Sequence, residues 1–230
     1  AGQPFMAYAS EKLQINDPSA SEQWAFFNDG SFTSEEVTKY PVYSDPFGQT
    51  SENAELLGTL VEVKKRQAVS GVDINLKQAW ETYGNGSHDT IVAMIDTGID
   101  ASHEDLKDTL WVNTDEIPGN GIDDDGNGYV DDRYGWNFYN NNNQIFNGNE
   151  DSHGTHGAGT ISAGTGNGIG IAGIVPGNRV RVMALKALGG TDGGGSTAAV
   201  IKAIRYAEDN GAVICNLSLT STVDDKALYE

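Results

Sequence analysis

Residues 196–211, STAAVIKAIRYAEDNG, stand between two short apolar runs, RVRVMALKAL (179–188) and GAVICNLSL (211–219), and this alternation constrains the fold more than any other feature. A third run, TIVAMID (90–96), is unbroken and ends in an acid. Runs that are apolar at nearly every position suit strands buried on both faces, which belong to parallel sheets covered by helices. Within 196–211, Val200, Ile201, Ile204 and Ala207 fall on one helical face. Ser196 stands where an N-cap is needed, and Asn210-Gly211 can close the last turn. Strand, helix, strand at this spacing predicts a right-handed crossover unit of an α/β fold, a doubly wound, mostly parallel sheet with helices on both faces. Reactive groups in such sheets gather at the carboxyl ends of the strands.

The regular pattern occupies 71–230. Residues 1–70 show no sustained period of 2 or 3.6 and read as an N-terminal arm with a loop-like insertion at 32–67, whereas VSGVDINLKQAWETYG (69–84) allows one short helix. A length of 230 residues suffices for one sizeable core. The 33 acidic against 14 basic side chains give a formal charge of −19, which repels phosphate backbones and anionic membrane surfaces. Nucleic acid is thereby excluded as a partner class, and a hard cation such as calcium is favoured. The lone Cys215 cannot close an internal disulfide and reads as a small hydrophobe in a buried strand. No apolar run reaches the ~18 residues of a membrane span. Ala1 in first place fits a chain whose leader has been removed.

Two positions carry the chemistry. Asp96 ends the strand IVAMI, and His153 opens a segment of small residues, HGTHGAGTISAG (153–164), able to press closely on neighbouring backbone. A carboxylate held against an imidazole fixes its tautomer and stabilises the imidazolium formed when the ring takes a proton from a nucleophile. Taken singly, Asp96 also suits a buried capping role and His153 a structural helix start.

Together, VAMIDTGIDASHEDL (92–106) and DSHGTHGAGTISA (151–163) resemble the aspartate and histidine boxes of the subtilisin-like serine proteases, in that family's chain order. The resemblance continues through GIGIAGIVPG, VRVMALKAL, GGGS and VICNLSL, from Gln23 to about Thr220, interrupted by 32–67. It implies a subtilisin-like fold and hydrolysis of a protein or peptide substrate by a Ser-His-Asp triad, with Asp96 orienting, His153 as general base and acid, and His156 packed structurally. It further implies that Gly193, Gly194 and Gly195 pair with an extended peptide, and that Leu217, Ser218 and Leu219 wall the primary specificity pocket. Thr220 replaces the family's rim glycine, and Gly157 the valine after the second histidine.

The family's nucleophile box, GTS followed by a small or apolar residue and alanine, is absent, as is the glycine-asparagine segment that supplies the oxyanion side chain. The expectation is the N-terminal part of a catalytic domain, its sheet incomplete and inactive alone. The serine and oxyanion asparagine would lie on a companion C-terminal polypeptide. An extracellular location follows from the same resemblance, with signal and any propeptide removed.

The acidic stretch NGIDDDGNGYVDD (120–132) makes a separate argument. Asp123, Asp125, Asn127, Gly128, the carbonyl of Tyr129 and Asp131 fall on positions one, three, five, six, seven and nine of an EF-hand-like calcium loop. Tyr134 occupies the twelfth position, so Asp132 or water must complete the shell. A solvated acidic turn is the alternative. For a second calcium site, the resemblance implies Asp105, Asn167 and the carbonyls of Ile169 and Ile171, on a loop one residue longer than the family's.

Other readings compete. IDTG also resembles the loop of aspartic proteases, but no second copy exists and HGTH stays unexplained. His153 and His156 could be paired zinc ligands. A non-catalytic, calcium-stabilised binding or regulatory module on the same scaffold is the reading from another class.

Overall fold

The computed structural model describes residues 15–43 apart from 24, 27 and 29, and then 56–84, 86–177, 179–221 and 225–228. The first fourteen residues of the expected arm lie outside that set.

Residues 33–43 and 56–67 differ from the expected loop. Strands β1 (Thr33–Tyr43) and β2 (Leu56–Gln67) pair antiparallel, from Thr33 opposite Gln67 to Tyr43 opposite Leu56, with an irregularity between Val42 and Tyr43. A period of two arises in sequence when one face of a sheet is buried and the other wet. Apart from the half-buried Thr38, the described side chains of this ribbon are exposed on both faces, Val37, Leu60, Val61 and Val63 among them, so that signal never develops. Cross-strand partners support the ladder, with Val37 opposite Val63 and Lys65 Nζ 2.9 Å from Glu35 Oε1.

Helix α1 (Leu76–Tyr83) follows where 69–84 allowed one. Leu76 and Trp80, one turn apart, pack with Ile15, Ala20, Phe26 and Ala172, and Trp80 Nε1 donates to the carbonyl of Ile174 at 2.8 Å. This small cluster fastens the chain's early segment to the main body.

The main body is a parallel sheet. Strand β3 (Thr90–Asp96) is flanked on one side by β5 (Val180–Lys186) and on the other by β8 (Ile214–Asn216), while β4 (Gly135–Asn137) lies outside β5. Between them run α2 (Ser152–Ser162), the two-stranded antiparallel pair β6 (Leu188–Gly189) and β7 (Gly194–Gly195), and α3 (Thr197–Asp209). Alternate residues of β3 and β5 serve opposite faces. Ala93, Ile95, Met183 and Leu185 pack with α3, and Val92, Met94, Val182 and Ala184 pack with Ala158 of α2. Both faces are therefore dry, which is why these strands read as unbroken apolar runs.

Helix α3 begins as its sequence requires, with Ser196 Oγ accepting from the amide of Ala199, and Gly211 adopts a positive φ beyond its end. Its buried face is Ala199, Val200, Ala203, Tyr206 and Ala207, with Ile201 and Ile204 only half buried, a rotation from the expected stripe. Three alanines four residues apart let the helix lie close on the sheet, and closeness outweighs side-chain size. The crossover from β5 through α3 to β8 spans one intervening strand, β3. Strand β8 is shorter and wetter than the buried strand that 211–219 predicts. Val213 and Ile214 are 75% and 53% exposed, because β8 forms the sheet's edge among the described residues.

Candidate active site

Parallel strands deliver their carboxyl ends to one side of the sheet, and Asp96 is the last residue of β3. The next turn is tight. Gly98 has φ +124°, and a side chain there would collide with the carbonyl of Ile145. Helix α2 meets this turn with its own first residues. The amide of Gly154 donates to Thr97 Oγ1 at 3.1 Å, and a Cβ at Gly154 would collide with the carbonyl of Gly98. The contact places His153 Nδ1 2.8 Å from Asp96 Oδ1, which also accepts the amide of Thr97 at 2.6 Å.

Burial divides the pair. Asp96 is fully buried and its Oδ2 has no hydrogen-bond partner, while the His153 side chain is 60% exposed. A desolvated carboxylate short of partners stabilises a cation formed on the ring it touches. With Nδ1 engaged by Asp96, Nε2 remains for proton exchange with a group arriving from the cleft. Gly154→Ala tests this close packing. The obstructing atoms are backbone, so the variant shifts α2 and loses about 1–3 kcal/mol on thermal unfolding. A melt unchanged from wild type would show that the contact yields freely.

His153 opens onto a cleft of about 1120 Å³. Gly193, Gly194 and Gly195 form one wall, Ser218 and Leu219 another, and Glu150 and Asp192 also line it. Leu217 lies outside that lining and is 37% exposed. β7 pairs with β6 through Gly194 opposite Gly189 and Gly195 opposite Leu188, and a Cβ at Gly195 would collide with the carbonyl of Ala187. Of these glycines, Gly195 is the one whose close approach to backbone excludes a side chain, whereas Gly193 has open space beside it. Gly157 also has a packing reason, since the space beside it holds the Met94 side chain. His156 is exposed on α2 and lines a different cavity with His103, and among the described residues no set of three mutually close metal ligands contains His153 or His156.

Residues 87–229 match the model of the subtilase family. The chain belongs to the subtilase family. It is 42% identical over 97 residues to the subtilisin-like protease 1 of Plasmodium berghei (strain Anka), an alignment covering 42% of this chain and 16% of that protein. It is 34% identical over 158 residues to thermitase of Thermoactinomyces vulgaris, covering 68% of this chain and 46% of that one. The chain therefore spans less than half the length of these relatives. In fold it is similar to the Aeromonas sobria serine protease, solved in complex with a chaperone, with TM-score 0.54 and 20% identity over 91% of this chain and 26% of that chain.

Two loops of this subtilase are organised around carboxylates. In the first, carboxylate oxygens of Glu116, Asp123 and Asp125 lie within 4.8 Å of one another. The turn is built by the same carboxylates: Asp123 accepts the amides of Asn127 and Gly128, and Glu116 accepts those of Asp124, Asp125 and Asp131. Asn127 donates to both Asp125 and Asp132. Asp131 is turned to other work, taking the amides of Gly119, Asn120 and Gly121 from a left-handed φ of +55°. Glu116, 5% exposed, escapes sequence reasoning because it precedes the calcium-loop pattern. Tyr129 packs edge-on against Trp136, Phe138 and Tyr206.

Asp132 is wholly buried beneath the loop and bound by Asn113 Nδ2 at 2.8 Å and by the Tyr206 hydroxyl at 2.5 Å. Burial and this carboxylate drive the Tyr206 phenol far above its ordinary range. A raised phenol is stabilising while protonated, so its contribution is complete below about pH 10 and declines as the solution becomes more alkaline. Tyr206→Phe removes a charge-assisted bond that contributes about 1.5–3 kcal/mol, and the melting temperature falls accordingly. An unchanged melt at neutral pH would show the bond to be energetically silent.

In the second loop, Asn167 Nδ2 donates to Asp105 Oδ1 at 2.8 Å and the amide of Ile171 to Oδ2 at 3.1 Å. The amide of Ile169 bonds to Asn167 Oδ1. Asp17, another residue without a local motif, accepts the amides of Gly166, Asn167 and Gly168, so the early segment and this loop are tied together.

Proposed function

We propose that this chain is the N-terminal part of the catalytic domain of an exported, calcium-stabilised serine endopeptidase. Asp96 orients the His153 ring and stabilises its cationic form. His153 takes the proton of a serine through Nε2 and returns it to the leaving amine. That serine, with an oxyanion-hole asparagine, is supplied by polypeptide beyond these residues. The observation that carries the reading is the 2.8 Å contact between His153 Nδ1 and the buried Asp96, at the mouth of a cleft walled by Gly193–Gly195. An extended substrate would add along β7 and seat a side chain against Ser218 and Leu219. The open flank of β8, beside the exposed Val213 and Ile214, suits pairing with another parallel strand.

The reading is tested by hydrolysis of a fluorogenic peptide library by the protein as purified from its source. Turnover abolished by a fluorophosphonate supports it. Turnover that persists with the inhibitor, or no turnover in an assembly that includes a GTS-bearing chain, contradicts it.

Calcium fits the first acidic loop, because Glu116, Asp123 and Asp125 offer only hard oxygen donors at close mutual range. When bound, the ion neutralises their repulsion and crosslinks the loop. The second expected site, Asp105 and Asn167 with the carbonyls of Ile169 and Ile171, rests on the family resemblance alone, because both Asp105 oxygens accept N–H groups from Asn167 and Ile171. Sites of this kind fill where calcium is millimolar, which accords with export. At a hundred times the dissociation constant, one ion stabilises by about 2.7 kcal/mol. Chelation is therefore expected to lower the melting temperature by roughly 5–10 °C for a domain of this size. Identical melts with and without chelator would remove calcium from the account.

A further inference from the structure

Lys186, the last residue of β5, is completely buried, yet neither the proton transfer nor substrate capture described above uses it. A lysine at such a position must have its charge compensated and its donors satisfied. The ammonium finds three acceptors: Asp151 Oδ1 at 2.6 Å, the carbonyl of Thr97 at 2.6 Å and the carbonyl of Leu188 at 3.1 Å. Its Nζ also stands 5.6 Å from the centre of the Tyr139 ring. Asp151, equally buried, uses its other oxygen to accept the amide of Asn147 at 2.7 Å.

The acceptors belong to the three pieces that compose the site. Thr97 follows Asp96 directly. Asp151 is the N-cap residue of α2 and precedes His153 by two positions. Leu188 lies in β6, the strand that holds the cleft-lining β7. β3 and β5 are already fixed to each other, with the amide of Ala187 donating to the carbonyl of Asp96 at 3.0 Å. The start of α2 is otherwise tied to this turn by the Gly154 amide donating to Thr97 Oγ1, the Asp100 amide donating to Thr155 Oγ1 at 3.0 Å, and the dyad contact itself. One charged group closes the remaining gap.

We propose that Lys186 is a positioning residue: through Asp151 and the Thr97 carbonyl it fixes the first turn of α2 against the end of β3 and so sets the His153–Asp96 hydrogen bond. Through Leu188 the same ammonium sets the β6–β7 wall relative to that pair. The inference rests on the protease reading for its consequence in catalysis, but the hydrogen bond it controls can be observed without turnover.

The test is low-field proton NMR of the Nδ1–H of His153 in the full chain. Lys186→Met is compared with wild type well below each protein's own melting temperature. Loosening of the dyad predicts loss of that resonance, or exchange of the proton with water accelerated roughly tenfold or more. A folded variant that melts lower but keeps the wild-type resonance and exchange rate would make Lys186 a structural clamp only, and would overturn the proposal. Should the unpaired Asp151 prevent folding, Lys186→Met combined with Asp151→Asn removes the buried charge while keeping an acceptor for the Asn147 amide. The same two results then decide. A wild-type chain that shows no such resonance would refute the dyad itself. Failure of the protease reading instead appears as an intact resonance with no reactive serine in the assembly.

Discussion

Asp96→Asn in the proposed active assembly is expected to lower kcat about 10⁴-fold, the magnitude typical of triad aspartates in serine proteases, subtilisin among them. The direction follows from the local geometry. His153 Nδ1 faces Asp96 Oδ1 at 2.8 Å, and the carboxylate can only accept, so the ring keeps its proton on Nδ1 and its lone pair on Nε2. An amide at residue 96 can present an N–H instead, which favours the opposite tautomer and blocks proton uptake from the serine. It also removes the buried negative charge that stabilises the imidazolium. His153→Ala removes the base altogether and is expected to cost about 10⁶-fold, again the size of effect met in subtilisin. Both variants should retain the wild-type KM within a small factor, since neither residue forms the Gly193–Gly195 wall. A loss confined to KM would place the two residues in binding rather than in chemistry.

The largest effect on stability is expected at Lys186. Its ion pair with Asp151 is inaccessible to water, and removal of one partner leaves the other charged, buried and uncompensated. Breaking such a pair costs about 3–5 kcal/mol, against about 0–1 kcal/mol for an exposed one such as Lys64 with Glu62. Lys186→Met should therefore lower the melting temperature by roughly 6–20 °C at the slope typical of this chain length. Lys186→Met with Asp151→Asn should recover part of that loss, because no isolated charge remains. Equal destabilisation by the single and double variants would mean that charge burial is not the cause.

The parallel sheet and α3 were legible in the sequence because both faces of β3 and β5 are dry and because Ser196 and Gly211 mark the helix ends without ambiguity. The dyad was legible because Asp96 and His153 each sit in a long, distinctive local pattern. The ribbon of β1 and β2 was not, since a two-stranded element exposed on both faces leaves no periodicity to read. Glu116 and Asp17 were missed for another reason. Each is brought to its loop by tertiary folding, Glu116 beneath Asp123 and Asp125, and Asp17 beneath residues 166–168, with no fixed spacing to announce it. Asp131 illustrates the converse. It stands at the ninth position of a calcium-loop pattern, yet a left-handed backbone turns its carboxylate onto the amides of Gly119, Asn120 and Gly121. Lys186 was read only as a member of an apolar run, because nothing in RVRVMALKAL indicates which strand end will face a carboxylate.

Activation by Asp96 and His153 of a serine carried outside residues 1–230 is tested by treating the protein, as isolated from its source, with a fluorophosphonate and weighing every polypeptide under denaturing conditions. One label is expected on a segment that contains the GTS box and none within residues 1–230, with labelling suppressed in His153→Ala. Label on a serine of this chain, or an assembly that carries the GTS box and stays unlabelled with Asp96 and His153 intact, would contradict it.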